Sequence, residues 1–279
     1  MSDVTRDVAA VVVDYHADHV LVECVDSLRS EGIVEIVVVE NGVSGSVPPA
    51  LSERGVVVVS PGLNLGYGRG VNRGVAHTHP SAYVLVSNPD VVVHPGAVAT
   101  MTDYLDAHPK VGLVGPRILR PDGSVYPSVR VFPNVWLAGL HAVLSPVWAT
   151  NPATRRYRSP RADGTPDWVS GACFLVRRDV FESVGGFDER YFMFAEEMAL
   201  CWGIREEGFA IAAVEGATVT HLEGVSRARA PRQMLVAHHR SALRFEFHTA
   251  RGARRALAPI AAIVLSLRLL LVLVARPRS

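Results

Sequence analysis

The feature that most constrains the fold of this chain is the alternation of short apolar runs with amphipathic segments. Runs typical of strands buried on both faces lie at Val8–Val13, Ile33–Val39, Val56–Ser60, Tyr83–Ser87 and Val111–Gly115. Between them, residues 18–30, 70–77 and 96–108 have helical patterns. Strands that alternate with helices predict an α/β domain with a parallel sheet and right-handed crossovers.

Polar side chains follow three of these strands where each strand ends. They are Asp14 and Tyr15 after the first strand, Glu40 and Asn41 after the second, and Asn88 and Asp90 after the fourth. In open α/β sheets, ligands bind at the carboxyl ends of the strands. We therefore expect these side chains to share one pocket.

The stretch "LVSNPDVVV" at residues 85–93 allows two interpretations. Asn88, Pro89 and Asp90 are turn-forming residues, and a proline cannot donate to a sheet ladder, so the stretch could be a plain turn. Alternatively, a buried strand delivers the carboxylate of Asp90 to a site at its end.

The glycine-rich segment "PGLNLGYGRGVNRG" at residues 61–74 suggests a nucleotide-binding loop. It follows the third strand, however, Val71 stands where the dinucleotide motif requires glycine, and the lysine of a phosphate-binding P-loop is absent. We expect instead that these glycines let the backbone approach a ligand closely.

Composition excludes several classes of protein. Hydrophobic residues make up 49% and charged residues 20% of the 279 residues, which is enough for a sizeable core. The net charge of +1 gives no indication of nucleic-acid binding. Cys24, Cys173 and Cys201 are scattered, which argues against a disulfide framework or zinc site and favours a reducing cytosol. The N-terminus lacks the features of a signal peptide.

The second half of the chain is less regular. Residues 116–166 predict extended loops with a short helix near Trp136–Leu144, which is typical of a binding loop or lid. The stretch "DWVSGACFLVRR" (167–178) returns to strand character with a bend at Gly171. A helix at Glu197–Glu207 and a strand at Thr218–Thr220 that ends on His221 follow.

The C-terminal segment Ala256–Val274 is apolar, but Pro259 and Arg268 interrupt it and arginines flank it on both sides. Three interpretations remain open: a helix that lies on or dips into a membrane face, a buried helix, and a true membrane span.

Several segments, in order, resemble family-2 glycosyltransferases. They are "VVVENG" (37–42), "NLGYGRGVNRG" (64–74), "SNPDV" (87–91), "GPRILRPDGSVYPS" (115–128), "WVSGACFLVRR" (168–178), "VGGFDERYFMFAEE" (184–197) and "HLEGVS" (221–226). The chain is most similar to bacterial rhamnosyltransferases that extend polyprenyl-linked glycans. The resemblance implies a GT-A, Rossmann-like, mostly parallel sheet with flanking helices over residues 1–229. Residues 230–279 then form a helical, membrane-associating segment.

The resemblance also implies roles for particular residues. The nucleotide-sugar donor would be bound by Asp14, Tyr15, Glu40, Asn41, Asn64, Gly66 and Asn88. Asp90, with His221, would hold Mg²⁺ or Mn²⁺ against the donor diphosphate. Of the acidic pair Glu196-Glu197, the second member would be the general base. Trp168 and Gly171 would contact the acceptor.

The activity implied is an inverting, metal-dependent sugar transfer in cell-envelope glycan synthesis. The donor would be dTDP-rhamnose, with UDP-sugars as the alternative, and the acceptor a lipid-linked saccharide at the inner face of the cell membrane. Ala199 and Gly203 replace acidic and basic residues that are common in the family, so a pseudoenzyme that binds a nucleotide-sugar without transfer is a second hypothesis. A sugar nucleotidyltransferase would have a basic, glycine-rich signature after the first strand, and "VVVDYHADH" lacks one.

Overall fold

A central sheet organises the part of the chain that the structure, a computed structural model, describes. The described residues are 7–42, 48, 50–132, 148, 150–152, 154–155, 164–222 and 231–275. The short helix expected near Trp136–Leu144 lies outside them, as does the end of the "HLEGVS" segment.

Ten strands form two sheets in the described residues. The strands are β1 (Val8–Asp14), β2 (Glu35–Glu40), β3 (Val57–Val59), β4 (Tyr83–Ser87), β5 (Val91–Val93), β6 (Val111–Leu119), β7 (Val129–Arg130), β8 (Trp168–Val169), β9 (Cys173–Arg177) and β10 (Ala210–His221). The large sheet has the order β3-β2-β1-β4-β9-β6-β10-β5, and β7 pairs with β8 in a small second sheet.

Eight helices connect or cover these strands in the described residues. They are α1 (Asp18–Ser30), α2 (Ala50–Glu53), α3 (Tyr67–Val75), α4 (Ala97–Ala107), α5 (Arg178–Ser183), α6 (Glu196–Glu206), α7 (Pro231–Thr249) and α8 (Ala253–Ala275). The expected bounds of α1 are confirmed, and those of α3, α4 and α6 are shifted by one to three residues.

The large sheet is mixed, which corrects the expectation of a mostly parallel one. β1 pairs in parallel with β2 and β4, as do β2 with β3 and β6 with β10. β9, however, lies antiparallel between β4 and β6, and β5 lies antiparallel to β10. A strand buried on both faces is apolar whichever way its neighbours run, so composition did not reveal the direction of β9.

The apolar runs of the sequence arise because helices cover both faces of the sheet. Along β1, Val8, Ala10 and Val12 face a cluster with α1 and α4, whereas Val11 and Val13 face a second cluster with α3 and α6. β10 is much longer than the predicted Thr218–Thr220. Its pairing with β6 shifts register between Val214 and Thr218. Such an irregularity interrupts the sequence pattern of a strand.

The two C-terminal helices differ in burial. α7 packs on the domain: Phe245 is buried in the core, and the hydroxyl of Ser241 donates to the carbonyl of Met193 (2.7 Å). α8 packs against α7 but leaves large apolar side chains exposed at Ile260, Ile263, Leu267 and Leu270. Among the helices of the described residues, none combines the length and the apolar character needed to cross a membrane. The division of the chain at residue 230 stays a prediction.

Gly66 provides a test of how the glycine-rich loop is held. Its φ is 84°, and a Cβ atom at this position would overlap the carbonyl oxygen of Phe192. Gly62 also has a positive φ (76°), but a Cβ atom there would meet nothing within 4 Å. Alanine at Gly62 incurs the strain of a positive φ, about 1–2 kcal/mol. Gly66 has a ψ of 173°, a combination that is essentially restricted to glycine, so Gly66→Ala adds both a larger backbone strain and the overlap.

We expect Gly66→Ala to lower the free energy of unfolding by about 2 kcal/mol more than the control Gly62→Ala, because the Phe192 carbonyl must move. Urea denaturation of both variants measures the difference. If both variants lose the same free energy of unfolding, the contact between Gly66 and the Phe192 carbonyl does not constrain the loop.

Candidate active site

A cavity of about 190 Å³ gathers most of the predicted site residues. It lies beside the carboxyl ends of β1, β2 and β4 and the start of α6. Nine of the predicted residues line it: Tyr15, Asn41, Asn64, Asn88, Asp90, Gly171, Glu196, Glu197 and His221. The expectation of one shared pocket at the strand ends is therefore met by these residues, while their individual roles stay predictions.

Four predicted site residues lie outside the lining of this cavity: Asp14, Glu40, Gly66 and Trp168. The Asp14 carboxylate accepts a hydrogen bond from the backbone just before α1 (3.1 Å). Glu40 accepts the hydroxyl of Ser60 (2.7 Å), and the Trp168 indole donates to the carbonyl of Val131 (3.1 Å). These contacts support the walls of the site, and ligand roles for the four residues stay predictions.

The asparagines of the pocket tie the glycine-rich loop to the sheet. The Asn41 amide nitrogen donates to the side-chain oxygen of Asn64 (3.1 Å) and to the carbonyl of Gly66 (3.0 Å). The Asn41 side-chain oxygen accepts from the backbone of Leu65 (2.8 Å), and Asn64 accepts from the backbone of Gly66 (2.9 Å). Asn41 therefore uses both ends of its amide to shape the loop.

Strand pairing brings Asp90 and His221 together. β5 starts directly after Asp90, and its antiparallel pairing with β10 places Val91 opposite His221. The His221 Nε2 and Asp90 Oδ1 atoms are 3.1 Å apart, and both residues are less than a tenth exposed. Pro89 and Asp90 do form a turn. The turn places the carboxylate at the cavity, so both interpretations of this stretch describe the same geometry.

The Asp90–His221 pair fits a divalent cation that is held jointly with phosphate. Protein sites for Mg²⁺ typically use one or two carboxylates plus substrate phosphates, carboxylates also suit Mn²⁺, and imidazole is a common ligand for transition-metal ions. The buried Nδ1 atom of His221 has no hydrogen-bond partner among the described residues. Among those same residues, no group of three or more His, Cys, Asp or Glu side chains could hold a metal ion.

The acidic pair sits on the first turn of α6, beside strained backbone. Phe194 and Ala195 have φ values of 66° and 63°, a left-handed conformation that non-glycine residues rarely adopt. Two successive residues of this kind mark a conformation that the surrounding structure imposes. The chain thereby reverses into α6 with Glu196 and Glu197 at the cavity.

The two glutamates have different environments. Glu196 is 5% exposed, whereas Glu197 is partly exposed. Burial, followed by the negative charge of Glu197, raises the pKa of Glu196 well above its usual range. The Oε2 atom of Glu196 has no hydrogen-bond partner among the described residues. Burial therefore favours the neutral form of Glu196 more than it would for an exposed glutamate.

Gly171 lies next to Glu197, at a distance where a Cβ atom would make only ordinary contacts. A Cβ atom at Gly171 would lie 3.4 Å from the Cβ and 3.7 Å from the carboxyl carbon of Glu197. The carbonyl of Gly171 accepts the hydroxyl of Tyr67 (2.7 Å). Burial raises the pKa of that phenol well above its usual value. Gly171 therefore shapes the surroundings of the acidic pair.

Sequence reasoning missed several residues that line the cavity: Tyr67, Tyr126, Ser170, Met193, Phe194 and Met234. Tyr67 and Tyr126 lie within the resembling segments, so their positions offered a signal. Met234 lies on α7, outside those segments, and no sequence pattern indicated that it would line the cavity. The unusual Ala199 and Gly203 are not part of the lining: Ala199 is buried in the core, and Gly203 faces Val184.

Comparisons with known proteins agree with this architecture. A profile of the family described as glycosyltransferase-like family 2 matches residues 5–236. This chain belongs to that family. An N-acetylglucosaminyl-diphospho-decaprenol L-rhamnosyltransferase of Mycobacterium tuberculosis is 40% identical over 230 residues, which are 77% of this chain and 75% of the relative. The protein is a glycosyltransferase.

Solved glycosyltransferase structures share the fold. A mannosyltransferase of Pyrobaculum calidifontis in complex with GDP-Man and Mn²⁺ has a TM-score of 0.60 at 15% identity, over 98% of this chain and 76% of that one. GalNAc-T7 with UDP, GalNAc and Mn²⁺ has a TM-score of 0.57 at 16% identity, over 77% of this chain and 43% of that one. These likenesses establish a GT-A-like fold for the glycosyltransferase.

The raised pKa of Glu196 predicts a pH-dependent stability. A carboxyl with a raised pKa binds its proton more tightly in the folded state, so this stabilisation is complete below the unfolded pKa of 4.5. It is lost as the pH rises through the folded pKa, by at most about 1.4 kcal/mol per pH unit. We expect Glu196→Gln to gain stability over the wild-type glycosyltransferase as the pH is raised.

Urea unfolding at about pH 5 and about pH 8 measures this effect. The control is Glu206→Gln, at the exposed end of the same helix, which should show no such trend. If the free energies of unfolding of wild type and Glu196→Gln differ by the same amount at both pH values, the folded state does not raise the pKa of Glu196.

Proposed function

We propose that this glycosyltransferase transfers rhamnose from dTDP-rhamnose to a hydroxyl group of a lipid-linked saccharide, with inversion and with the help of Mg²⁺ or Mn²⁺. The observation that carries the proposal is the cavity, which combines the Asp90–His221 pair with the acidic pair Glu196-Glu197. The printed activity of the 40% identical relative supports the sugar and the acceptor class. The Mn²⁺ in the two related folds supports the ion.

Asp90 and His221 are the residues proposed to hold the ion. A divalent cation there would neutralise charge that develops on the donor diphosphate as the sugar leaves. The antiparallel pairing of β5 with β10 holds His221 opposite Val91 and so beside Asp90 in the preceding turn, which orients both ligands before the donor arrives. Tyr15 and Asn88 border the same cavity and are proposed to contact the donor.

Glu197 is proposed as the general base. Successive residues on a helix point about 100° apart, so the two glutamates cannot both face one hydroxyl. Glu196 is buried and favours its neutral form, which leaves Glu197 as the carboxylate that accepts the proton. An acceptor hydroxyl that is deprotonated as it attacks the far side of the anomeric carbon gives a product of inverted configuration.

α8 is proposed to bring the enzyme to the surface of the membrane that holds the acceptor. Its exposed residues Ile260, Ile263, Leu267 and Leu270 recur at helical spacing, which builds an apolar stripe. Exposed Arg251 and Arg255 lie at the start of this segment. Apolar side chains next to arginines are typical of helices that lie on anionic membranes.

The test of the donor and the ion is a transfer assay with purified enzyme and a lipid-linked N-acetylglucosamine diphosphate. dTDP-rhamnose, UDP-glucose and GDP-mannose are compared with Mn²⁺ and with EDTA. We expect product from dTDP-rhamnose with the ion present, and the anomeric configuration measured by NMR should be inverted. Product from UDP-glucose alone would favour the alternative donor. Asp90→Asn should weaken nucleotide binding in Mn²⁺ but not in EDTA, because the carboxylate acts through the ion.

Glu197→Gln keeps the size of the side chain but removes the basic oxygen. We expect the transfer rate to fall by about 10² or more while donor affinity changes little. The matched control Glu196→Gln replaces a neutral carboxyl with a neutral amide, so its loss should be smaller. A collapse of the rate only in Glu196→Gln would assign the base to the preceding residue.

A further inference from the structure

A second concave surface lies outside the active-site cavity, between α7 and the segment that leads into the acidic pair. This basic groove has a volume of about 480 Å³ and is lined by Arg190, Arg240, Leu243, Arg244, Phe247 and His248. Nothing in the transfer mechanism above uses it. Three guanidinium groups around one groove form an arrangement that favours phosphate groups.

The positive charge of the basic groove is only partly neutralised. Arg190 forms an ion pair with Asp188 (2.6 Å). Arg244 lies over the ring of Tyr191 at 5.8 Å, and neither Arg240 nor Arg244 pairs with a carboxylate among the described residues. Burial, and then the positive charge of Arg190, lower the pKa of His248. The two arginines of α7 thus give the groove a net positive charge.

The groove and the active-site cavity border the same two segments. On α7, Met234 lines the cavity, and Arg240 and Arg244 follow at about 9 Å and about 15 Å along the helix axis. On the other side, Arg190 lines the groove and Met193 lines the cavity, at most about 10 Å further along the chain. The groove and the cavity are therefore neighbouring concave surfaces that share α7 and the segment before α6.

The groove also has an apolar side. Leu243 is half-buried and Phe247 is 51% exposed. α8, with its exposed apolar stripe, follows α7 after a short connection and packs against it. A ligand with an anionic head and a hydrocarbon chain would meet the arginines first and then apolar side chains toward α8.

We propose that the basic groove binds the diphosphate of a polyprenyl-diphosphate-linked acceptor, with Arg240 and Arg244 as its main ligands and Arg190 beside them. This inference rests on the proposed function for the nature of the acceptor. The guanidinium groups hold the acceptor by its phosphates, which leaves its sugar at the cavity next to Glu197. The groove thereby selects saccharides that carry a lipid diphosphate over neutral glycosides of the same sugar.

Measuring the binding of ligands directly tests the basic groove independently of sugar transfer. Isothermal titration calorimetry in EDTA, which removes the ion from the donor site, uses three probes: farnesyl diphosphate, farnesol and inorganic pyrophosphate. We expect farnesyl diphosphate to bind and Arg240→Gln/Arg244→Gln to weaken it by about tenfold or more. Pyrophosphate that binds as tightly as the lipid would show a site for free diphosphate and overturn the lipid assignment.

A matched charge control separates a site from general attraction. Arg73→Gln/Arg117→Gln removes the same charge from exposed positions outside the groove and outside α7 and α8, and should leave farnesyl diphosphate binding as in wild type. Equal weakening in the two double variants would mean that the arginines act only through net charge. Unchanged binding in Arg240→Gln/Arg244→Gln would also overturn the proposal.

Turnover supplies a second readout. The ratio of kcat/KM for a diphosphate-linked acceptor to that for a neutral alkyl glycoside should fall about tenfold in Arg240→Gln/Arg244→Gln. An equal loss with both acceptors would indicate that the arginines only hold α7 in place. If the wild type transfers to neither acceptor, the proposed function fails, while calorimetry still decides whether the groove binds a lipid diphosphate.

Discussion

The contact between the glycine-rich loop and the segment before α6 is the constraint on which the active site depends. The backbone N–H of Tyr67 donates to the carbonyl of Phe192 (3.1 Å), and Gly66 allows this approach because it has no Cβ. The loop is tied in turn to the end of β2 by Asn41. The glycine-rich loop and the segment before the acidic pair, more than 120 residues apart in sequence, are thereby fixed to each other through backbone atoms.

The same segment is held from its other side by α7. Ser241 donates to the carbonyl of Met193, and Phe194 packs edge-on against His238 at 5.3 Å. Contacts on two sides of this segment stabilise the unfavourable left-handed conformation of Phe194 and Ala195. The strain sits immediately before the acidic pair, so the packing of α7 bears directly on where the proposed base points.

Sequence patterns predicted the part of the fold that depends on periodicity and strand ends. The runs of β1, β2 and β4 predicted that polar residues after them share a pocket, and Tyr15, Asn41, Asn88 and Asp90 do line one cavity, because parallel strand ends meet at one edge. The antiparallel direction of β9 and the irregular pairing of β10 were not predictable, since both depend on partners distant in sequence. The contribution of Met234 to the cavity was hidden for the same reason: α7 reaches the site only through tertiary packing.

The acidic pair shows where sequence reasoning reaches its limit in chemistry. Glu196 and Glu197 are identical side chains at adjacent positions, and sequence alone could not tell which of the two carboxyl groups is more deeply buried. The helix start places one of them in the core and the other beside Gly171, at the partly exposed side of the cavity. Burial then favours the neutral form of Glu196, while Glu197 stays partly exposed at the cavity. Two identical side chains thereby meet different environments, because the fold buries one of them more deeply than the other.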